Sequence, residues 1–265
     1  MEILVDIFAI GCLVSIFGYF LYIVYYTLDL FFLNPFVHIL PLTEKEKRTI
    51  EEYPPFYNTL NGPIKKKFEK RVVRFRHRKQ IHFHNDVKEV AKIRLLLSAT
   101  GAMLTLGMAD FLILSIEKII VYPSKYYSAI TKRDHYGEYN RGLKTIIFSA
   151  EQLVKGFRIP NDNINLAVHE FAHALSFNVV NKLNVRSFFF IFGMQRMKRV
   201  LSDGHFLAKW EASGYFRAYG KTNVHEFFAV ALESFIETPK TFEHHFPQLF
   251  KMVRAMLNMG FYRLP

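Results

Sequence analysis

The sequence predicts an α+β fold, predominantly helical with a small sheet, preceded by one transmembrane helix. Three observations predict it. Residues 7–28 are 22 positions without a charged side chain, enough at ~1.5 Å per residue to cross a hydrocarbon core of ~30 Å. NLAVHEFAHALSFN (165–178) and HEFFAVALESFI (225–236) place apolar residues at helical spacing. IIVYP (119–123) and KTIIFS (144–149) are short β-rich runs with turn residues nearby.

The apolar leader is read as a span because Tyr19, Tyr22, Tyr25 and Tyr26 crowd its second half, as interfacial anchoring favours. A cleaved signal peptide would carry a basic start and a small-residue cleavage site; this start carries Glu2 and Asp6. No Lys or Arg precedes the span, whereas Lys45, Lys47, Arg48 and Lys65, Lys66 and Lys67 follow it. The positive-inside rule then places the C-terminal part in the cytoplasm, with the span in the cell's inner membrane. The predicted organisation is a transmembrane helix over 1–33, an apolar, proline-bounded link over 34–42 and one domain over 43–265. At 43–52, Thr43 and Glu46 stand in capping-box positions for its first helix.

Composition narrows the classes. Hydrophobic residues make up 51% of the 265 positions, which excludes a disordered chain. The single cysteine, Cys12, excludes an intrachain disulfide and a four-cysteine zinc site. The net charge is +12, and residues 1–33 hold three acids and no base, so the remainder carries +15 and favours an anionic neighbour. Residues 64–79 are the most basic stretch, with Lys65, Lys66, Lys67, Lys70, Arg71, Arg74, Arg76, Arg78 and Lys79 against Glu69. Phe68, Val72 and Phe75 repeat at helical spacing, so a helix buries them and turns the cations outward. A solvated face and contact with anionic lipid headgroups both fit that pattern; nucleic acid fits less well, because no nucleic-acid fold motif accompanies the charges.

Residues 95–109 are a second uncharged run, short for a span and suited to a buried core helix. Residues 118–122 form a strand halted by Pro123, 126–142 a polar, aromatic loop, and 144–149 a further strand. Placed just before the 165–178 helix, that last strand is read either as an ordinary core strand or, by analogy, as one that holds an extended backbone by β-addition beside a cleft.

The chemistry centres on His169, Glu170 and His173, spaced HExxH. On a helix the two histidines lie one turn apart on one face, where both imidazoles reach one metal ion and Glu170 sits beside it. Random placement of 11 His among 265 residues with the chain's glutamates yields roughly 0.03 such motifs. Two nitrogens suit zinc, whose bound water a carboxylate can deprotonate. The metzincin pattern fails, because it needs Gly at Ser176 and His at Val179. A gluzincin arrangement takes its third ligand from a Glu on a later helix, for which Glu226, Glu233 and Glu211 are the candidates. Glu226 and Glu233 share a helix face about 10.5 Å apart, so one would bind metal and the other would hydrogen-bond a ligand histidine or the backbone. Glu226 is favoured slightly, and Glu211, in a Gly-flanked stretch, ranks third.

HEFAHAL, about fifty residues further YGKTNVHEFFAVALESFIETPKTFEHHFPQLF, and upstream IIVYPSKYY and TIIFSAEQL together resemble the Mlc titration factor A family of zinc peptidases. Those are gluzincins similar in catalytic domain to anthrax lethal factor. The resemblance covers roughly 43–260. It implies one Zn2+ per chain held by His169, His173 and Glu226, with Glu170 as general base. It also brings forward Tyr219, seven residues before Glu226, as donor to the oxyanion. Two departures stand out: Ser176 replaces the family's usual Asp, and the family's familiar soluble members lack the apolar leader, so their repressor partner does not carry over.

The resulting expectation is a membrane-anchored zinc peptidase acting on peptides or proteins. The competing expectation is a membrane-tethered regulator that binds a protein partner through a peptidase scaffold with little turnover. His244 and His245 have no assigned role.

Overall fold

In the computed structural model, residues 2–27, 40–53, 56–108, 110–180 and 185–260 are described. The chain divides into two units, Met1–Leu40 and Pro41–Pro265. The predicted link over 34–42 lies mostly outside the described residues.

In the first unit, α1 (Glu2–Thr27) is a continuous helix. It is apolar all round, and its stretch Asp6–Tyr25 is long and apolar enough to cross a membrane, with no part of it buried.

The second unit is mostly helical around a small mixed sheet. Helix α2 (Glu44–Glu51) opens on the expected capping box, Thr43 and Glu46 each satisfying the other's backbone N–H. Helix α3 (Gly62–Arg78) buries Phe68, Val72 and Phe75 and packs on α4 (Val90–Leu104), the buried core helix expected from the second apolar run. Gly101 permits that approach: a Cβ there would stand 2.7 Å from the Phe75 ring.

The outward direction expected for the basic residues needs correction. Arg71, Arg74 and Lys79 are buried. Arg71 Nη1 and Nη2 donate to the carbonyls of Thr105 (2.7 Å), Leu106 (3.1 Å) and Met108 (2.8 Å), satisfying the chain as it leaves α4. Lys79 Nζ donates to Ile113 O and Ile116 O, and burial pushes its pKa down to about 8. Backbone carbonyls, which a periodicity argument does not see, draw Arg71 and Lys79 inward.

The sheet runs in the order β1 (Gln80–Phe83), β2 (Lys118–Tyr122), β6 (Thr145–Ser149) and β5 (Gly137–Asn140). The first three are parallel and β5 is antiparallel to β6. Two further corrections follow. The expected loop over 126–142 contains the antiparallel pair β3 (Tyr126–Ser128) and β4 (Arg133–His135), and then β5. Tyr126 stacks on Tyr122 at 5.2 Å, and Asn140 Oδ1 accepts from Leu143 N in the turn that sends β5 back along β6. Strand β6 is therefore an inner strand, paired on both sides and mostly buried. Its backbone cannot take a substrate by β-addition; the edge belongs to β5.

After β6 come α5 (Ala150–Arg158), α6 (Leu166–Val180), α7 (Val185–Val200), α8 (Gly204–Ser213), α9 (Val224–Glu237), α10 (Pro239–His245) and α11 (Pro247–Met256). Helices α6 and α9 pack on each other more extensively than any other pair of elements. Helix α6 sits between that neighbour and the sheet, where Phe171 meets Phe75 at 5.8 Å and Phe148 at 6.2 Å. Glu211, expected in a less regular stretch, lies on α8, which ends at the left-handed Gly214.

Candidate metal centre

Two helix starts deliver the site. Asn165 Oδ1 accepts from Val168 N (3.2 Å) at the head of α6, and Asn223 Oδ1 accepts from His225 N (2.9 Å) and Glu226 N (3.1 Å) at the head of α9. His169 and His173 follow one turn apart, their rings 4.8 Å apart and nearly perpendicular. Glu226, in the first turn of α9, faces them across the helix pair.

The donor atoms converge. His169 Nε2 and His173 Nε2 lie 3.1 Å apart, and Glu226 Oε2 stands 3.1 Å from the first and 3.4 Å from the second. Atoms held about 2.0–2.1 Å from one ion at tetrahedral angles stand roughly 3.3–3.4 Å apart, so this triangle is close to one face of a zinc coordination shell. Among the described residues it is the one group of three or more His, Cys, Asp or Glu side chains that could hold a metal ion, its donor atoms all within 4.8 Å of one another. Glu211 lies elsewhere, exposed and paired with Lys221 at 2.6 Å.

Glu233, two turns along α9, supports the set from behind. It is 1% exposed and its Oε1 lies 2.5 Å from His169 Nδ1. An ionised carboxylate only accepts hydrogen bonds, so Nδ1 carries the proton and Nε2 presents a bare lone pair toward Glu226 and His173. Nitrogen and oxygen lone pairs turned on one another at these distances repel unless a cation lies between them, and the donor set fits a divalent metal on that ground. With only protons available, burial opposes charge on His169, but hydrogen bonds to Glu226 and Glu233 prevail and push its pKa up to about 10. Burial opposes ionisation of Glu226 as well, and the two histidines override it and hold that carboxyl far below its usual range.

Sequence reasoning did not find Arg217. Its Nη2 donates to both Glu233 oxygens, at 2.6 and 2.8 Å, and Asn165 N adds a bond at 2.9 Å. Glu233 is thereby a buried anion with a compensating cation. The available signal was Arg217 two residues before Tyr219, outside any recognised spacing. Trp210 Nε1 donates to Phe216 O at 3.0 Å and so holds the start of the segment bearing both residues.

Glu170 points toward the sheet. It is 5% exposed, and burial raises its pKa against the pull of His169 and His173. The backbone N–H of Tyr139 on β5 favours its charged form slightly, and the absence of a side chain at Gly137 makes room for it: a Cβ there would lie 2.7 Å from Glu170 Oε1. Tyr219, on the 3-10 turn Ala218–Lys221, has its ring 6.1 Å from that of His169 and is 54% exposed. Partial burial raises its pKa, and the charge of and hydrogen bond to Glu226 add to the rise. Ser176 Oγ donates to His173 O at 2.8 Å and lies 3.0 Å from His225 Nδ1, so the position where an Asp was expected joins the two helices through a neutral contact. His244 and His245 end α10, where His245 stacks on Tyr215 at 5.3 Å.

Beside the triangle opens a cleft of about 280 Å³ whose wall includes Gly137, Glu170, His169, Tyr219, Arg217 and Lys155. A triangle of donor atoms, a buried carboxylate and a phenol beside one cleft are the groups a metal-assisted hydrolysis would need. The model of the family described as glucose-regulated metallo-peptidase M90 matches residues 36–258. The chain belongs to this family. It is thus of a metallopeptidase kind, with a metal at its centre and peptides or proteins as the substrate class. The chain is also similar to the uncharacterized protein slr2042 of Synechocystis sp., 27% identical over 220 residues that cover 76% of this chain and 78% of that protein.

Proposed function

We propose that this metallopeptidase is a membrane-anchored zinc peptidase of the gluzincin type, akin to the Mlc titration factor A peptidases, with its catalytic domain on the cytoplasmic face. The observation that carries the reading is the donor triangle of His169, His173 and Glu226 with buried Glu170 beside it. When bound there, zinc supplies Lewis acidity that makes a water nucleophilic at neutral pH and polarises the scissile carbonyl.

The chain's own residues do the rest. His169, His173 and Glu226 hold the ion, and Glu233, fixed by Arg217, keeps His169 in the Nδ1–H tautomer. Glu170 accepts the proton of the attacking water at its carboxylate and returns it to the departing amine; its burial brings its proton affinity closer to that of the groups it serves. The Tyr219 hydroxyl donates to the oxygen that becomes negative as the tetrahedral centre forms. Gly137 and Tyr139 lie along the sheet's outer strand, whose backbone can align an extended peptide beside Glu170.

Glu170→Gln is expected to retain zinc while turnover of short peptides falls by ~10²–10⁴. His173→Ala is expected to lose the ion. Metal analysis and peptide turnover, with chelator and zinc-restored controls, decide both; undiminished cleavage by Glu170→Gln refutes the mechanism, and full zinc occupancy in His173→Ala refutes the ligand set.

A further inference from the structure

Helix α7 turns three phenylalanines outward. Phe188, Phe189 and Phe192 are 67%, 59% and 47% exposed, while Phe190 and Met197 on the opposite side are buried and Phe190 packs on Phe228 at 5.3 Å. The helix is thus already docked on its inner face, and among the described residues its outer face is exposed. Along that outer face the chemistry changes from aromatic to cationic. At 100° per residue Phe188, Phe192, Arg196 and Arg199 fall within an arc of about 80°, and all four are exposed. Lys198 adds a further exposed cation, and α7 contains no acid.

We infer that the outer face of α7 is an interfacial docking surface for an anionic lipid bilayer, with Phe188, Phe189 and Phe192 entering the acyl boundary and Arg196 and Arg199 meeting the headgroups. Aromatic rings beside long cationic stems on one helix face match the two layers of a membrane interface. A second copy of this chain fits poorly, because α7 contains no acid and a twofold contact over this face would leave Arg196 and Arg199 without counter-charges from the partner helix. Anionic headgroups complement the charge, and a chain held to a membrane by α1 meets such a surface at high effective concentration. The inference rests in that respect on the proposed anchoring.

Cys12, the one cysteine, lies exposed in α1, so single-site labels separate the two ideas. The full chain is spin-labelled either at Cys12 or, in a Cys12→Ser background, at Phe192→Cys. Lys251→Cys on α11, an exposed position, is the aqueous control. Each form is placed in nanodiscs of phosphatidylcholine alone or mixed with phosphatidylglycerol, and collision with oxygen is compared with collision with a nickel chelate. The oxygen-to-nickel ratio at 192 is expected to be several-fold above that at 251 in the anionic discs, and to fall toward it in neutral discs and with Arg196→Glu and Arg199→Glu together. An aqueous ratio at 192 in anionic discs with a lipid-like ratio at Cys12 overturns the docking surface and leaves the anchor standing. An aqueous ratio at Cys12 overturns the anchor and the inference built on it. A 192 label shielded from both reagents reveals a protein contact and overturns the inference, as does an equally lipid-like ratio in neutral discs.

Discussion

Glu233 and Glu237 stand one helical turn apart on α9, and their surroundings set them opposite tasks. Glu233 accepts from Arg217, Asn165 N and His169, so its charge is fully compensated. Removing the guanidinium leaves a buried anion short of a cation and weakens its hold on the His169 tautomer. Arg217→Ala is therefore expected to lower zinc affinity by ~10–100-fold, measured by competition with a chelator of known affinity. Arg217→Lys, a point charge without the planar fork, is expected to fall between. Among the described residues no cation pairs with Glu237: Asn165 Nδ2 donates to it at 3.1 Å, and burial raises its pKa from 4.5 to about 7. The folded chain therefore keeps a proton that the unfolded chain releases, and stability falls as pH rises from about 4.5 to about 7. The loss is of order 3 kcal/mol if the whole shift is expressed. Glu237→Gln is expected to flatten that slope and to raise the Tm near pH 8 relative to the unaltered chain, in thermal melts across the pH range. Of these groups, HExxH exposed His169, Glu170 and His173 to sequence reading because their spacing is local. Glu226 against Glu233 could be ranked only slightly from helical pitch, since which carboxylate meets a nitrogen depends on how α9 sits on α6. Arg217 was invisible for the same reason: its partner lies 16 residues away in a different element.

At the scale of elements, the outer strand sets the geometry of Glu170, the proposed general base. Glu170 lies against β5, where Gly137 leaves its space open. A methyl at 137 would come 2.5 Å from Leu166 Cδ1 and 2.7 Å from Glu170 Oε1, so either β5 or the carboxylate must move. Gly137→Ala is expected to cut kcat by ~10²-fold, the scale of an ångström of misplacement. Zinc content should be unchanged, because the ligands project from α6 and α9. Loss of zinc together with activity would instead show that β5 holds the metal site as a whole. The helices around this site were legible because their caps and apolar stripes are local: Thr43 with Glu46, Asn223, and the HEFAHAL and HEFFAVAL strings. The strands β2 and β6 were legible as β-rich runs. Strand β5 was not, because register is a non-local property: which strand is inner and which is edge is decided by β5 folding back on β6 through a turn whose NRGLK sequence reads as ordinary loop. The inward turn of Arg71 and Lys79 has the same origin, since the carbonyls they satisfy belong to the chain 34–37 residues on.

For the whole molecule, the distribution of charge bears on where the peptidase works. Acids alone precede the apolar stretch of α1, at Glu2 and Asp6, and bases follow it at Lys45, Lys47 and Arg48. Bases within roughly 20 residues of a span are held on the cytoplasmic side, so Lys45, Lys47 and Arg48 lead us to expect the C-terminal part to stay in the cytoplasm. A secretory leader makes the opposite prediction, since cleavage would send the domain across the membrane. Cys12 distinguishes the two directly, because it is the chain's one cysteine and lies within α1. If α1 stays as an anchor, the membrane-bound product keeps a mass of 31.2 kDa, resists carbonate extraction and reacts with a maleimide after denaturation in detergent. A tag at its C-terminus is expected to be digested by protease in inverted vesicles and protected in right-side-out ones. A shortened, thiol-free product released to the far side would identify α1 as a leader. An uncleaved product whose C-terminal tag is digested in right-side-out vesicles would keep the anchor and reverse the orientation, moving the cleft and its substrates outside the cell.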